Sequence, residues 1–266
     1  YEGKELGRLT VLAQPETSGW RLQGLEIVNP ESKFAMSGRW TIGQTSRTDA
    51  KVKLDVSDVG KFLTRLGSPD SMSGGTATLD GPINWSGSPA QFHIPSLSGQ
   101  LTLEVKNGRF QQIDTGGGKL LAILSLQELP RRVTLDFRDV FSSGFSFDRI
   151  SANLNIASGV ADTQNFQMQG SAARVAMSGQ VDLARETQNL AVRVTPSLSS
   201  SIAIAGAIVN PVIGIATYIA QKVLKDPFSQ MASFEYSITG TWADPFVARV
   251  VKAPSNVKDN VNQKGR

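Results

Sequence analysis

FAMSGRWTI, residues 34–42, alternates without a break. Phe34, Met36, Gly38, Trp40 and Ile42 fall on one face of an extended chain. Ala35, Ser37, Arg39 and Thr41 fall on the other. Period two with one apolar face is the signature of a half-buried β-strand. The form recurs as Leu79-x-Gly81-x-Ile83-x-Trp85, as Val175-x-Met177-x-Gly179-x-Val181 and as Tyr236-x-Ile238-x-Gly240-x-Trp242. Each copy places a glycine in the apolar phase. Glycine weakens a strand, so its recurrence there predicts a bend or a close approach of two backbones. Curved strands repeated along a chain build a rolled sheet.

Outward from this stretch the period persists. Ala50, Val52, Leu54 and Val56 oppose Lys51, Lys53 and Asp55, and Leu101, Leu103 and Val105 oppose Thr102, Glu104 and Lys106. Val133, Leu135 and Phe137 continue it, then Ala152, Leu154 and Ile156, Phe166 and Met168, and Leu190, Val192 and Val194. Asn107-Gly108 reads as a hairpin turn. Further turns are expected at Ser158-Gly159, around Gly170 and at residues 185–188. Pro82 places its strand at an edge or at a bulge, because proline cannot donate to a ladder. Two short stretches switch to helical spacing. Val59, Phe62, Leu63 and Leu66 predict a helix near residues 58–66, capped by Asp58 or Ser57 and ended by Gly67. Leu120, Leu121 and Leu124 predict another over residues 117–129, ended by Pro130. The fold class is therefore mainly β, an antiparallel meander of about a dozen strands. Such a sheet needs a cover for its apolar face. Either it rolls closed on its own side chains, or it encloses an apolar ligand.

The bulk composition excludes more than it assigns. The 266 residues carry a net charge of +4, 19% charged residues, one histidine and no cysteine. Disulfides and thiolate metal sites are excluded. The cations are scattered, apart from Arg131-Arg132 and the last residues, so no basic stripe marks a nucleic-acid interface. The chain begins at Tyr1, as expected of a fragment or a processed product, and a targeting segment is expected upstream. One histidine cannot build the usual zinc site. His93 has no G-x-S-x-G elbow to serve. The acids Asp136, Asp139 and Asp148 lie near Arg138 and Arg149, the pattern of surface pairing. Gly116-Gly117-Gly118 lacks P-loop spacing and reads as a hinge before a helix. No catalytic residue, cofactor or metal is expected.

Residues 199–228, SSSIAIAGAIVNPVIGIATYIAQKVLKDPF, interrupt the strand pattern. The uncharged run of about 19 residues would span about 28 Å as a helix, close to a bilayer core of about 30 Å. Asn210-Pro211 breaks it in the middle. After the break Val212, Ile215, Ile219 and Val223 form one stripe. A broken, amphipathic helical segment is expected, which either plugs the end of the sheet's apolar face or touches a membrane surface through Ile208, Val212, Ile215, Ile219 and Val223. Residues 229–251 are expected to return to the sheet, and 252–266 to form a disordered polar tail.

The stretch GRFQQIDTGGGKLLAILSLQELPRRVTLDFRDVFSSGFSFDRI, residues 108–150, resembles the C-terminal region of YhdP proteins of Gram-negative bacteria. VTPSLSSS at 194–201 and FEYSITGTWADP at 234–245 resemble the same region. These belong to the AsmA-like proteins, which resemble bridge-like lipid carriers. The resemblance implies an elongated, twisted sheet forming an open apolar groove over residues 1–198. It implies phospholipid passage through the periplasm between inner and outer membranes, with an inner-membrane anchor upstream. On that reading the groove is lined by Leu101, Leu103, Leu135, Phe137, Leu154, Ile156, Phe166, Met168, Val175, Met177, Val192 and Tyr236. The partners are then phospholipids, the inner leaflet of the outer membrane, and an outer-membrane or periplasmic protein. A rival from another class is a periplasmic scaffold that holds outer-membrane protein strands by edge pairing.

Overall fold

The computed structural model describes residues 5–111, 144–171, 173–197 and 233–250. The described strands form one open antiparallel sheet whose spatial order is the chain order, twelve strands from first to last. They are β1 (Arg8–Glu16), β2 (Gly19–Asn29), β3 (Ser32–Thr41), β4 (Arg47–Val56), β5 (Met72–Ser86) and β6 (Ser98–Phe110). The second half comprises β7 (Phe145–Ala157), β8 (Val160–Gly170), β9 (Ala173–Asp182), β10 (Thr187–Pro196), β11 (Phe234–Thr241) and β12 (Pro245–Arg249). Every neighbour is the next strand, which is the simplest way to satisfy backbone groups locally.

The meander gives the sheet two rims. One rim carries α1 (Val59–Arg65), between β4 and β5. The connections from β6 to β7 and from β10 to β11 leave the same rim, since β6 and β10 end there and β7 and β11 begin there. The opposite rim carries short turns and a 3-10 turn at Ile94–Ser96. α1 starts where expected: the Asp58 carboxylate accepts from the Lys61 amide at 3.0 Å. That bond holds the Asp58 carboxyl below its ordinary range. Gly67, at φ 90°, ends the helix, and Phe62 and Leu63 pack onto the sheet.

The glycine repeat has the cause its position implies. A Cβ at Gly38, Gly81 or Gly179 would overlap a backbone carbonyl of the next strand, that of Asp49, Gln100 or Asn189. At Gly240 it would sit 2.8 Å from the Asp244 carbonyl oxygen.

One local reading differs from expectation, and for Pro82 the structure leaves an interruption of the ladder and excludes an edge. Asn107-Gly108 is not a turn; β6 runs through it, and Gly74 pairs with Gly108. Asn107 takes φ 54° inside the strand, opposite Gly74 and Gly75 at φ 61° and 81°. The left-handed residues of the two strands face each other, so the ladder resumes beyond them. Pro82 lies in an interior strand, not at an edge. Pairing toward β6 lapses at Gly81-Pro82 and resumes at Ile83 with Gly99, so the missing N–H falls where no bond is made. β1, β2 and β12 add to the strands whose alternation is plain in the sequence. The expected helix at 117–129, the strand at 133–137, the segment 199–228 and the tail 252–266 lie outside the described residues. No helix among the described residues is long and apolar enough to cross a membrane.

Candidate functional site: the apolar face

Register places the apolar phase of every described strand on one face. Leu9, Ile27, Phe34, Leu54, Leu79, Leu103 and Ala152 form a continuous cross-strand row from β1 to β7. A second row joins Phe166, Met177, Val192, Tyr236 and Arg249 from β8 to β12. Directly opposed side chains lie about 4.5–5.5 Å apart at Cβ, so the first row, and the second as far as Tyr236, are unbroken paths of apolar and aromatic side chains across strands. Of the residues expected to line a groove, Ile156, Phe166, Met168, Val175, Val192 and Tyr236 are buried. Leu101, Leu103, Leu154 and Met177 pack against them. The structure brings these ten onto one face. Leu135, Phe137 and the five residues assigned to a membrane contact, Ile208, Val212, Ile215, Ile219 and Val223, lie outside the described residues.

Exposure of this face is graded. On β1, Leu9 and Val11 are 59% and 53% exposed, whereas on β11 Ile238 is 1% exposed. The outer backbone edges of β1 and β12 have no described strand beside them.

The other face is charged. Glu16 bonds Arg21 and Arg39, Lys33 bonds Glu26, Glu104 bonds Lys106 and Arg149, and Arg193 bonds Glu235. Hydrogen bonding from Arg21 holds the Glu16 carboxyl below its usual range. Exposed pairs add little stability; their effect is to keep one face wet while the other is dry.

The apolar face is not uniformly apolar. In the β3–β5 part its buried polar atoms are paired: Thr48 Oγ1 donates to the Gly87 carbonyl at 2.8 Å, Trp85 Nε1 to the Ser88 carbonyl at 3.1 Å, and Trp40 Nε1 to Ser46 Oγ at 2.8 Å. In the β8–β11 part Thr163 Oγ1, Gln188 Oε1, the Tyr236 hydroxyl and Trp242 Nε1 are buried without a partner. Arg249 joins them on this face. It is the one Arg or Lys there among the described strand residues, its guanidinium lying 5.1 Å from the centre of the Phe234 ring. Strand alternation around these positions marks Tyr236 as apolar-phase. Arg249 was missed because a short strand with Pro245 in it shows little period.

His93 Nδ1 lies 2.8 Å from Ser96 Oγ, but no carboxylate completes the pair among the described residues. Among them no three His, Asp or Glu side chains gather where a metal could sit.

The described residues thus form a long open antiparallel sheet, apolar along one face and ion-paired along the other. The family model described as YhdP protein matches residues 1–247, and the chain belongs to that family. It is 31% identical over 230 residues to the intermembrane phospholipid transporter YhdP of Escherichia coli (strain K12), covering 85% of this chain and 18% of that protein. The chain thus spans under a fifth of that relative's length. No solved structure matches.

Proposed function

We propose that the apolar face is the floor of an open trough that carries phospholipids between the inner and outer membranes across the periplasm. The apolar side chains that successive described strands place on one face carry this reading. Acyl chains laid along it would gain about 0.8 kcal/mol per buried CH₂, while headgroups stay at the open seam. Passage needs a continuous apolar path and no chemistry. The E. coli relative's printed name as an intermembrane phospholipid transporter supports the cargo. Residues 199–228 are assigned on sequence to the end that meets the outer membrane, and the inner-membrane anchor to the polypeptide upstream. The test is a charge in the floor. Met177→Glu and Phe137→Glu should each strip co-purifying phospholipid from the protein. Unchanged lipid in a still-folded variant would sink the assignment.

The edge of β1, beside which no described strand lies and where Leu9, Val11 and Leu12 are exposed, favours a second reading: a scaffold that pairs outer-membrane protein strands at that edge. Mass spectrometry of the purified protein separates the two, since bound peptide supports the scaffold and bound phospholipid the trough.

A further inference from the structure

We propose that Arg249 and Tyr236 form a phosphate-holding site on the apolar face, which takes the phosphodiester of a phospholipid whose acyl chains lie along the β8–β11 floor. The inference rests on the trough reading and adds to it the place where a headgroup is held.

Four observations carry it. The first is position. Tyr236 and Arg249 are directly opposed in register on β11 and β12, so their side chains project from the same face. Val247, two residues before Arg249, packs against the core of that face. The second is charge. Every other Arg and Lys in the described strands projects from the opposite face, most of them beside a carboxylate, for example Arg193 with Glu235 at 2.7 Å. Arg249 has no acid partner among the described residues; its contact is the Phe234 ring. A cation stacked on a ring is held in place without being neutralised. Its five donors in a planar fork remain directed at whatever anion arrives.

The third observation is the unsatisfied hydroxyl. Tyr236 is 2% exposed, and its OH has no partner. A buried polar group left unpaired is costly, and unsatisfied groups of this kind require an explanation. A phosphate oxygen in front of Arg249 supplies the acceptor. Burial raises the phenol's affinity for its proton, and outweighs the opposing charge of Arg249. The hydroxyl therefore stays a donor at neutral pH and does not add negative charge to the site. The fourth is location. β12 is the last strand of the sheet, with no described strand beside its outer edge, and Arg249 is exposed there. A charged headgroup reaches it from water while its acyl chains enter the row Val192, Met177 and Phe166 behind Tyr236.

The test uses the full chain, freed of lipid in mild detergent. It compares retention of labelled phosphatidylglycerol with that of diacylglycerol bearing the same acyl chains. Wild type should retain the phospholipid about tenfold better, the scale of one charge-assisted bidentate contact. Arg249→Gln should bring the two lipids to parity by weakening only the phospholipid. Arg249→Lys, which keeps the charge and loses the fork, should fall between. Tyr236→Phe should cost about threefold in phospholipid retention with no fall in Tm, since the hydroxyl it removes bonds nothing in the protein. A fall in Tm would place that hydroxyl in the protein's own bonding and overturn its role. Equal retention of both lipids by wild type, or equal loss of both in Arg249→Gln, overturns the site and leaves the trough intact. Retention of neither by wild type overturns the trough reading and the site with it. Phosphorus NMR titration with inorganic phosphate separates the two sources of the anion. Arg249-dependent binding of the free ion as tight as that of phosphatidylglycerol would overturn the lipid assignment.

Discussion

A Cβ placed on Gly81 would overlap the carbonyl oxygen of Gln100 on the neighbouring strand. Gly81 also holds φ 151°, a backbone that residues with a side chain rarely adopt. The two constraints act together, because strain and overlap cannot be relieved by turning a side chain. Gly81→Ala should destabilise the sheet by about 2–4 kcal/mol, measured by urea unfolding. Gly24→Ala is the control. Nothing lies within 4 Å of its added carbon, and its cost should stay within about 0.5 kcal/mol.

Glu31 and Arg65 tie the β2–β3 turn to the last turn of α1. Arg65 Nη2 donates to Glu31 Oε2 at 3.2 Å, and Arg65 Nε donates to the other carboxylate oxygen. Hydrogen bonding from Arg65 lowers the Glu31 pKa below its ordinary 4.5. A carboxyl with a lowered folded-state pKa contributes stability that is complete above its unfolded value and is lost as pH falls through the folded one. The Tm gap between wild type and Glu31→Gln should therefore be full at pH 7 and close only below the ordinary range. A gap that is constant down to pH 3 would show that the pair contributes through shape alone.

Asp58 offers a smaller, separable effect. Its carboxylate accepts the Lys61 amide at the start of α1, and Asp58→Ala should cost about 1 kcal/mol by thermal melting. Asp58→Asn should recover most of it, since the amide oxygen still accepts.

Much of this was legible because the period is simple. Alternation alone places Leu101, Leu154, Met177 and Val192 on a common face, and the recurring glycines mark where strands approach most closely. Ser158-Gly159 is a turn with both residues at positive φ, 49° and 79°, as the dipeptide implies. What resisted reading has physical causes. Asn107-Gly108 carries the chemistry of a turn, but Gly74-Gly75 opposite it takes the same left-handed backbone, and two matched irregularities continue a ladder. A pairing partner some thirty residues away is invisible to a local motif. β1 and β2 escape the alternation test because the register shifts between Leu12 and Ala13 and between Leu22 and Leu25, which throws Leu12 out of phase. Arg249 escaped for a related reason: a five-residue strand gives too few positions to show which face a cation occupies. The family resemblance supplied the cargo class, but neither the polar atoms nor the cation on the apolar face.

The exposed edge of β1 yields the last expectation. Leu12 is 59% exposed on a strand whose outer backbone groups meet no described strand. Unpaired edges with apolar side chains template pairing with another chain, and an edge lysine blocks it. Leu12→Lys should reduce self-association of this 266-residue chain in sedimentation velocity. Tm should be unchanged, because a side chain that is already exposed contributes little burial. Self-association that persists in Leu12→Lys would place the contact elsewhere, with the other free edge at β12 the next to examine. There Phe246 is 66% exposed, but the strand is short and opens with Pro245, both of which protect an edge. The asymmetry predicts that β1, not β12, governs association, and Phe246→Lys should change it less than Leu12→Lys does.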